Sequence, residues 1–251
     1  MRFRLKALSL HLLASGILLT LILGGLYLGW YRWPGWYLAD VTQVVVVLTC
    51  VDLVVGPLLT GVIADPKKPR RALLRDIAVI AAVQLIALGY GTLSLWNGRP
   101  LYYAFSEDEL QLVQAYDIEP DQREEAARAH AEFAPHWYSL PRWIWAPLPA
   151  DPAERNKIIA SAISGGADVV AMPRYYRAWE AGLPSVKEHL VRLDDQKFFS
   201  GAEKKMLHER LQASGIAADQ RSTLAFTGRG HPLLAVFDPA NLRVQAFLRA
   251  R

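Results

Sequence analysis

The sequence predicts an α-helical membrane anchor of three transmembrane helices followed by a C-terminal α+β domain on the exported side. Three observations carry that prediction. Long apolar runs recur near residues 7–30, 41–63 and 77–96, and a helix rising about 1.5 Å per residue needs about 20 residues to cross a hydrocarbon core of about 30 Å. Residues 97–251 instead alternate short apolar stretches with polar turns, the composition of a folded α+β domain. The net charge of +4 is concentrated in two short segments at the ends of the apolar runs, whereas from Asn97 onward 19 Lys and Arg face 20 Asp and Glu. Basic residues placed this way are topology signals and not a nucleic-acid footprint.

The first run follows Arg2, Arg4 and Lys6. Its length exceeds the roughly 7–15 residues of a secretory signal core and no small-x-small cleavage site follows, so a retained helix with a cytoplasmic N-terminus is expected. Gly25 and Gly29, four apart, offer a small face for close packing in lipid. The aromatic cluster from Trp30 to Tyr37 is expected to anchor at the membrane–water interface.

The second run, VTQVVVVLTCVDLVVGPLLTGVI, is too long for a strand and holds the costly residue of the chain. A charge such as that of Asp52 costs about 2.5–3.5 kcal/mol at mid-membrane on translocon scales, and Gly56-Pro57 frees a backbone carbonyl that needs another partner. Both demand cover by other helices. Cys50, the only cysteine, excludes an intramolecular disulfide and reads as a small buried hydrophobe. The basic turn that follows, with Lys67, Lys68, Arg70 and Arg71, is expected on the cytoplasmic side, where Arg70 and Arg71 can meet anionic headgroups. In the third run, Ala78 with Ala82 and Ala87 with Gly91 repeat the small-residue spacing, and Gln84 is the one amide. Counting inward at about 1.5 Å per residue puts His11 about 6 Å, Gln84 about 11 Å and Asp52 about 17 Å from the cytoplasmic edge. Asp52 is therefore expected to meet Gln84, and His11 less so.

Beyond Trp96, aromatic and alternating residues predict strands at Leu101–Phe105 and Leu110–Ile118, and a helix over Asp121–Phe133. The stretch from His136 to Trp145 is too rich in Pro and Trp for a regular element and is expected to pack over the core or against the bilayer face. Helices are predicted at Asp151–Ser164, Ser185–Leu193 and Gly201–Ser214, and a small antiparallel sheet from STLAFTG, HPLLAVFD and RVQAFLRA closes the chain.

The chemistry-bearing motifs are missing. His130 and His136 stand six apart with Pro135 between, unlike the i, i+4 pair of a zinc protease helix. There is no G-x-S-x-G, P-loop, G-x-G-x-x-G or Cys-x-x-Cys, and Gly228-Arg229-Gly230 fits a turn. No catalytic residue, metal ligand or cofactor site is predicted, and the chain is expected not to be an enzyme.

The second and third runs, with Asp52-Leu53-Val54-Val55-Gly56-Pro57-Leu58-Leu59-Thr60, Arg75-Asp76, Gln84, Ala87-Leu88-Gly89-Tyr90-Gly91 and Arg99-Pro100-Leu101-Tyr102-Tyr103-Ala104-Phe105, resemble the type IV pilin accessory proteins of the TfpX/TfpZ type. Arg4-Leu5-Lys6-Ala7 and His11-Leu12 fit the same pattern, which covers residues 1 to about 115. The resemblance implies an inner-membrane factor, N-terminus cytoplasmic and C-terminal domain periplasmic, that helps a cognate major pilin persist in the membrane and enter the pilus. The implied partners are the pilin's apolar N-terminal helix, its globular head and the lipid bilayer. The expected contact or packing residues are Asp52, Gly56, Pro57 and Gln84, with Gly25 and Gly29. The alternative is a membrane-anchored periplasmic enzyme or ligand sensor using the segment around Trp137–Trp145.

Overall fold

The computed structural model describes residues 2–216 and 221–250. The chain divides into two units, Met1–Arg32 with Val41–Gly98, and Trp33–Asp40 with Arg99–Arg251.

The first unit is three helical rods. Helix α1 spans Arg2–Gly29. The second rod runs over Thr42–Ile63 as α3 (Thr42–Cys50), a widened π turn (Val51–Val55) and α4 (Gly56–Ile63), and the third is α5 (Arg70–Asn97). All three are long and apolar enough to cross a membrane. Helices α1 and α5 begin before the apolar runs do, at Arg2 and Arg70, because Arg and Lys are good helix formers and hydropathy marks the lipid boundary instead of the hydrogen-bonded one. The π turn lies directly upstream of Pro57, which donates no N–H and whose ring crowds the preceding turn. There the Gly56 N–H reaches back five residues to the Val51 carbonyl.

Helices α1 and α5 lie mainly against the middle rod and touch each other little. The buried face of α5 is Ile80, Gln84, Leu88, Gly91 and Leu95. Ala78 and Ala82 are exposed, so the small face expected there is not the packing face. Gly91 is: a Cβ on it would stand 2.4 Å from Leu48 Cδ2. A Cβ on Gly25 would meet nothing within 4 Å, so Gly25 provides no close approach of helices within this chain, and Gly29 is partly buried. Cys50, expected inside, is exposed. At one end Arg4 pairs with Asp65 at 3.8 Å, bringing both basic segments together. At the other, the Tyr31 hydroxyl donates to the Leu95 carbonyl at 2.7 Å and Trp30 meets Trp96 edge-on.

The second unit is built on one seven-stranded mixed sheet of order β4-β3-β1-β2-β5-β6-β7. Its strands are β1 (Pro100–Ser106), β2 (Glu109–Gln114), β3 (Arg142–Trp145), β4 (Arg177–Ala178), β5 (Thr223–Thr227), β6 (Leu233–Phe237) and β7 (Val244–Arg249). The C-terminal meander forms as expected, but it is not a separate sheet: β5 runs parallel to β2, with Leu110 opposite Phe226. The Trp-rich stretch also departs from expectation. Its last four residues are β3, parallel to β1 with Trp143 opposite Tyr103, since aromatic side chains suit a pleated surface once Pro141 has been passed.

Four helices cover the sheet: α6 (Pro120–Ala129), α7 (Pro152–Ile163), α8 (Trp179–His189) and α9 (Gly201–Ala213). Asp151 caps α7 by accepting from the Glu154 N–H at 3.0 Å, and Ser200 with Glu203 forms a reciprocal capping box on α9. Helix α8 starts six residues earlier than the sequence suggests, because Gly182 and Pro184 disguise its opening turns. Gly182 is required there: a Cβ would stand 2.7 Å from Trp145 Cβ. One sheet face carries a core of Leu101, Tyr102, Val113, Ile118, Ile144, Ile158 and Tyr176. Toward the C-terminal strands a second core joins Leu193, Phe199, Leu207, Leu211, Leu234 and Val236. Tyr103, Trp143, Phe226 and Phe247 form an aromatic cluster, with Trp179 of α8 against Trp143.

The residue 33–40 segment belongs to this second unit. Its short helix α2 (Gly35–Leu38) buries Leu38 completely. The Gly230 N–H donates to the Leu38 carbonyl at 3.0 Å, and the Arg249 guanidinium lies 4.6 Å over both the Trp33 and Tyr37 rings.

Candidate functional site

Five polar residues of the helical unit line one groove. It opens between α1 and α5 and is floored by the middle rod, with a volume of about 390 Å³. Its walls are aliphatic, including Leu10 and Leu18 of α1 and Ile77, Leu85 and Leu88 of α5; its polar members are His11, Ser15, Asp52, Thr60 and Gln84. The groove follows from the packing: α1 and α5 both lean on the middle rod, so a trough remains between them.

Helical spacing places the floor. Asp52, Gly56 and Thr60 stand four apart and all are buried. Asp52 is 3% exposed and Gln84 8%. The Gln84 amide lies beside the Asp52 carboxyl, and its Nε2 donates to the Val51 carbonyl at 3.4 Å, inside the π turn that Pro57 imposes. Gly56 makes the approach possible, since a Cβ there would be 1.9 Å from Gln84 Nε2. Depth counting paired Asp52 with Gln84, and the structure sets the two side by side with Gly56 beneath the amide. His11 comes closer than depth counting suggests: its Nδ1 is 2.5 Å from Thr60 Oγ1, and its ring is within electrostatic reach of Asp52. Thr60 was missed, although its place eight residues after Asp52 on one face was a usable signal.

Two atoms on the floor are left over. Asp52 Oδ2 and Gln84 Oε1 are buried without a hydrogen-bond partner. An orphaned buried polar group costs about 1–3 kcal/mol, and hydrocarbon offers it nothing.

Two concavities of the second unit gather aromatic or acidic side chains. A slot of about 350 Å³ is lined by Trp143, Trp179, Phe247 and the start of edge strand β7. A crevice of about 250 Å³ gathers Glu107, Asp108, Glu109 and Asp168. Burial, opposed by the hydrogen bond from Gln111, raises the Glu109 carboxyl above its ordinary 4.5. An acid raised in the fold binds protons more tightly there than in the unfolded chain, so its stabilising contribution is complete below about pH 4.5 and lost as pH rises through the folded value. Glu109→Gln is therefore expected to raise the urea midpoint at neutral pH and to flatten the decline above about pH 4.5, in denaturation of the detergent-solubilised chain. An unchanged slope would mean that Glu109 is solvated. Among the described residues no group of three or more His, Cys, Asp or Glu is placed to hold a metal ion.

Comparison with known proteins returns distant relatives. The chain is 23% identical over 189 residues to "Fimbrial assembly protein, serogroup E1" of Dichelobacter nodosus, covering 74% of this chain and 71% of that protein. The serogroup I protein of that organism is 24% identical over the same shares, and the protein of serogroups C1 and C2 is 27% identical over 124 residues, 49% of this chain and 95% of that one. These distant homologues support kinship with a fimbrial or pilus assembly family. No family model and no solved structure matches the chain.

Proposed function

We propose that this chain is an accessory factor of type IV pilus biogenesis, of the TfpX/TfpZ type, that holds a cognate major pilin in the inner membrane, stabilises it and promotes its assembly. The groove carries the reading. A pilin awaiting assembly is a single apolar helix bearing an exported head, and a trough between two membrane helices is the shape that receives a third. The fimbrial assembly relatives favour this use over others. The basic segments joined by Arg4 and Asp65 favour a cytoplasmic N-terminus, with the C-terminal unit periplasmic and free to meet the pilin head. Arg2, Lys6, Lys67, Lys68, Arg70 and Arg71 belong to the same charge signal. The chain acts by binding and not by catalysis.

A strain lacking the chain is expected to lose pilin several-fold, as an unprotected membrane helix is degraded, and to lose surface pili. Immunoblots of total pilin with counts of pili read both. Unchanged pilin and unchanged piliation overturn the reading; normal pilin without pili identifies a structural subunit of the pilus machine instead. The aromatic slot of Trp143, Trp179 and Phe247 favours a second reading, a periplasmic ligand sensor. Specific small-molecule binding by the full chain in a pilus-independent setting would select it.

A further inference from the structure

We propose that the groove recognises one hydrogen-bond-donating side chain on the docked helix, through Asp52 Oδ2 and Gln84 Oε1; the proposal rests on the reading of the groove as a pilin seat. The occupant must satisfy two different surfaces. The walls are aliphatic and accept any apolar chain, lipid included. The floor ends in two buried oxygens, Asp52 Oδ2 and Gln84 Oε1, without a hydrogen-bond partner among the described residues. An acyl chain fills the walls and leaves both acceptors bare, and lipid headgroup donors lie at the interface, whereas Asp52 is about 17 Å from it at about 1.5 Å per residue. A helix carrying a hydroxyl, amide or protonated carboxyl at that depth meets both demands. Such a group matters more in hydrocarbon than in water, because no solvent competes for it.

The other polar residues sharpen the assignment. His11 and Thr60 satisfy each other at 2.5 Å, so they brace the floor. Gln84 is held by its bond to the Val51 carbonyl and by the missing side chain of Gly56, an arrangement in which its nitrogen has a partner and its oxygen has none. Gly56 therefore acts as a positioning residue for Gln84, and Asp52 and Gln84 make the contact. Partner choice would then turn on whether the guest helix has its donor at the matching level.

The test uses the full-length chain in its native membrane, expressed with pilin. A photoreactive residue replaces Leu18 or Leu85 on the groove walls, with Ile86, exposed outside the groove, as control. Wall positions are expected to crosslink pilin at least about tenfold more than Ile86. Asp52→Leu and Gln84→Leu should each reduce that product about tenfold at constant chain abundance, whereas Asp52→Asn, which keeps an acceptor, should stay within about threefold. Gly56→Ala, which displaces the Gln84 amide, should resemble Gln84→Leu. Equal crosslinking in Asp52→Leu and the parent overturns donor recognition. Products confined to Ile86, to lipid or to a second copy of this chain overturn the seat. If pilin still depends on the chain in those cases, the accessory role survives without this site; if pilin is indifferent to the chain, the functional reading fails first.

Discussion

Trp143→Ala is expected to destabilise the C-terminal unit by about 3 kcal/mol or more, since truncating a Trp in a packed cluster removes transfer free energy and leaves a cavity, together about 3–5 kcal/mol. The low end applies because Trp143 is only partly buried. Its ring meets Tyr103 at 5.2 Å, Trp179 at 5.0 Å and Phe226 at 5.8 Å, and stacks on Phe247 at 6.2 Å with the planes 8° apart. Each such pair contributes about 0.5–1.5 kcal/mol beyond area. These partners come from β1, α8, β5 and β7, so one ring ties both halves of the sheet together. For a domain of this size the loss corresponds to a fall in Tm of about 6–12 °C at about 2–4 °C per kcal/mol. The control is Trp137→Ala: that side chain is 71% exposed and should change stability by no more than about 0.5 kcal/mol. Near-ultraviolet circular dichroism of the detergent-solubilised chain during heating distinguishes them. Equal melting of the two variants would mean that the aromatic cluster is a surface and not a core.

The same residue shows where sequence reasoning stops. Trp143 and Trp137 sit in one Pro- and Trp-rich stretch, and composition gives them the same role; only the pairing of β3 with β1 separates a sheet residue from an exposed one. The three apolar rods were legible because length alone excludes a strand. The meeting of Asp52 with Gln84 was legible because counting about 1.5 Å per residue from the ends of their apolar runs puts the two at similar levels. The groove was not, since which helices stand apart is decided by packing: α5 turns Ile80, Gln84 and Leu88 inward and leaves Ala78 and Ala82 outside. The union of two sheets into one was equally hidden. Leu110 and Phe226 are a pair that no local periodicity connects. The packing of Trp33 and Tyr37 against Arg249 was hidden for a related reason. Aromatic residues beside an apolar helix have the composition of an interfacial belt whether or not a folded domain claims them.

Gly228→Ala is the sharper probe of that last point, with an expected loss of about 2–4 kcal/mol. A Cβ on Gly228 would stand 2.5 Å from the Leu38 carbonyl oxygen and 3.0 Å from its carbon, and one on Gly230 would stand 2.5 Å from the Tyr37 oxygen. Both obstacles are backbone, so no rotamer change relieves the clash and the residue 33–40 segment must lift away. Overpacking of this kind costs about 1–3 kcal/mol. Lifting also breaks the bond from the Gly230 N–H to the Leu38 carbonyl, a further loss of about 0.5–1.5 kcal/mol, and withdraws Trp33 and Tyr37 from Arg249. Gly201→Ala provides the comparison, because a Cβ there meets nothing within 4 Å at the first position of α9, and the change should be neutral or slightly stabilising. Unfolding of the C-terminal unit in detergent, read with proteolysis in the residue 33–40 segment, should show Gly228→Ala both less stable and cut faster in that segment. If it matches Gly201→Ala on both counts, α2 does not rest on the β5–β6 turn. The link between α1 and α3 is, on the expected result, part of the C-terminal fold and not a free turn.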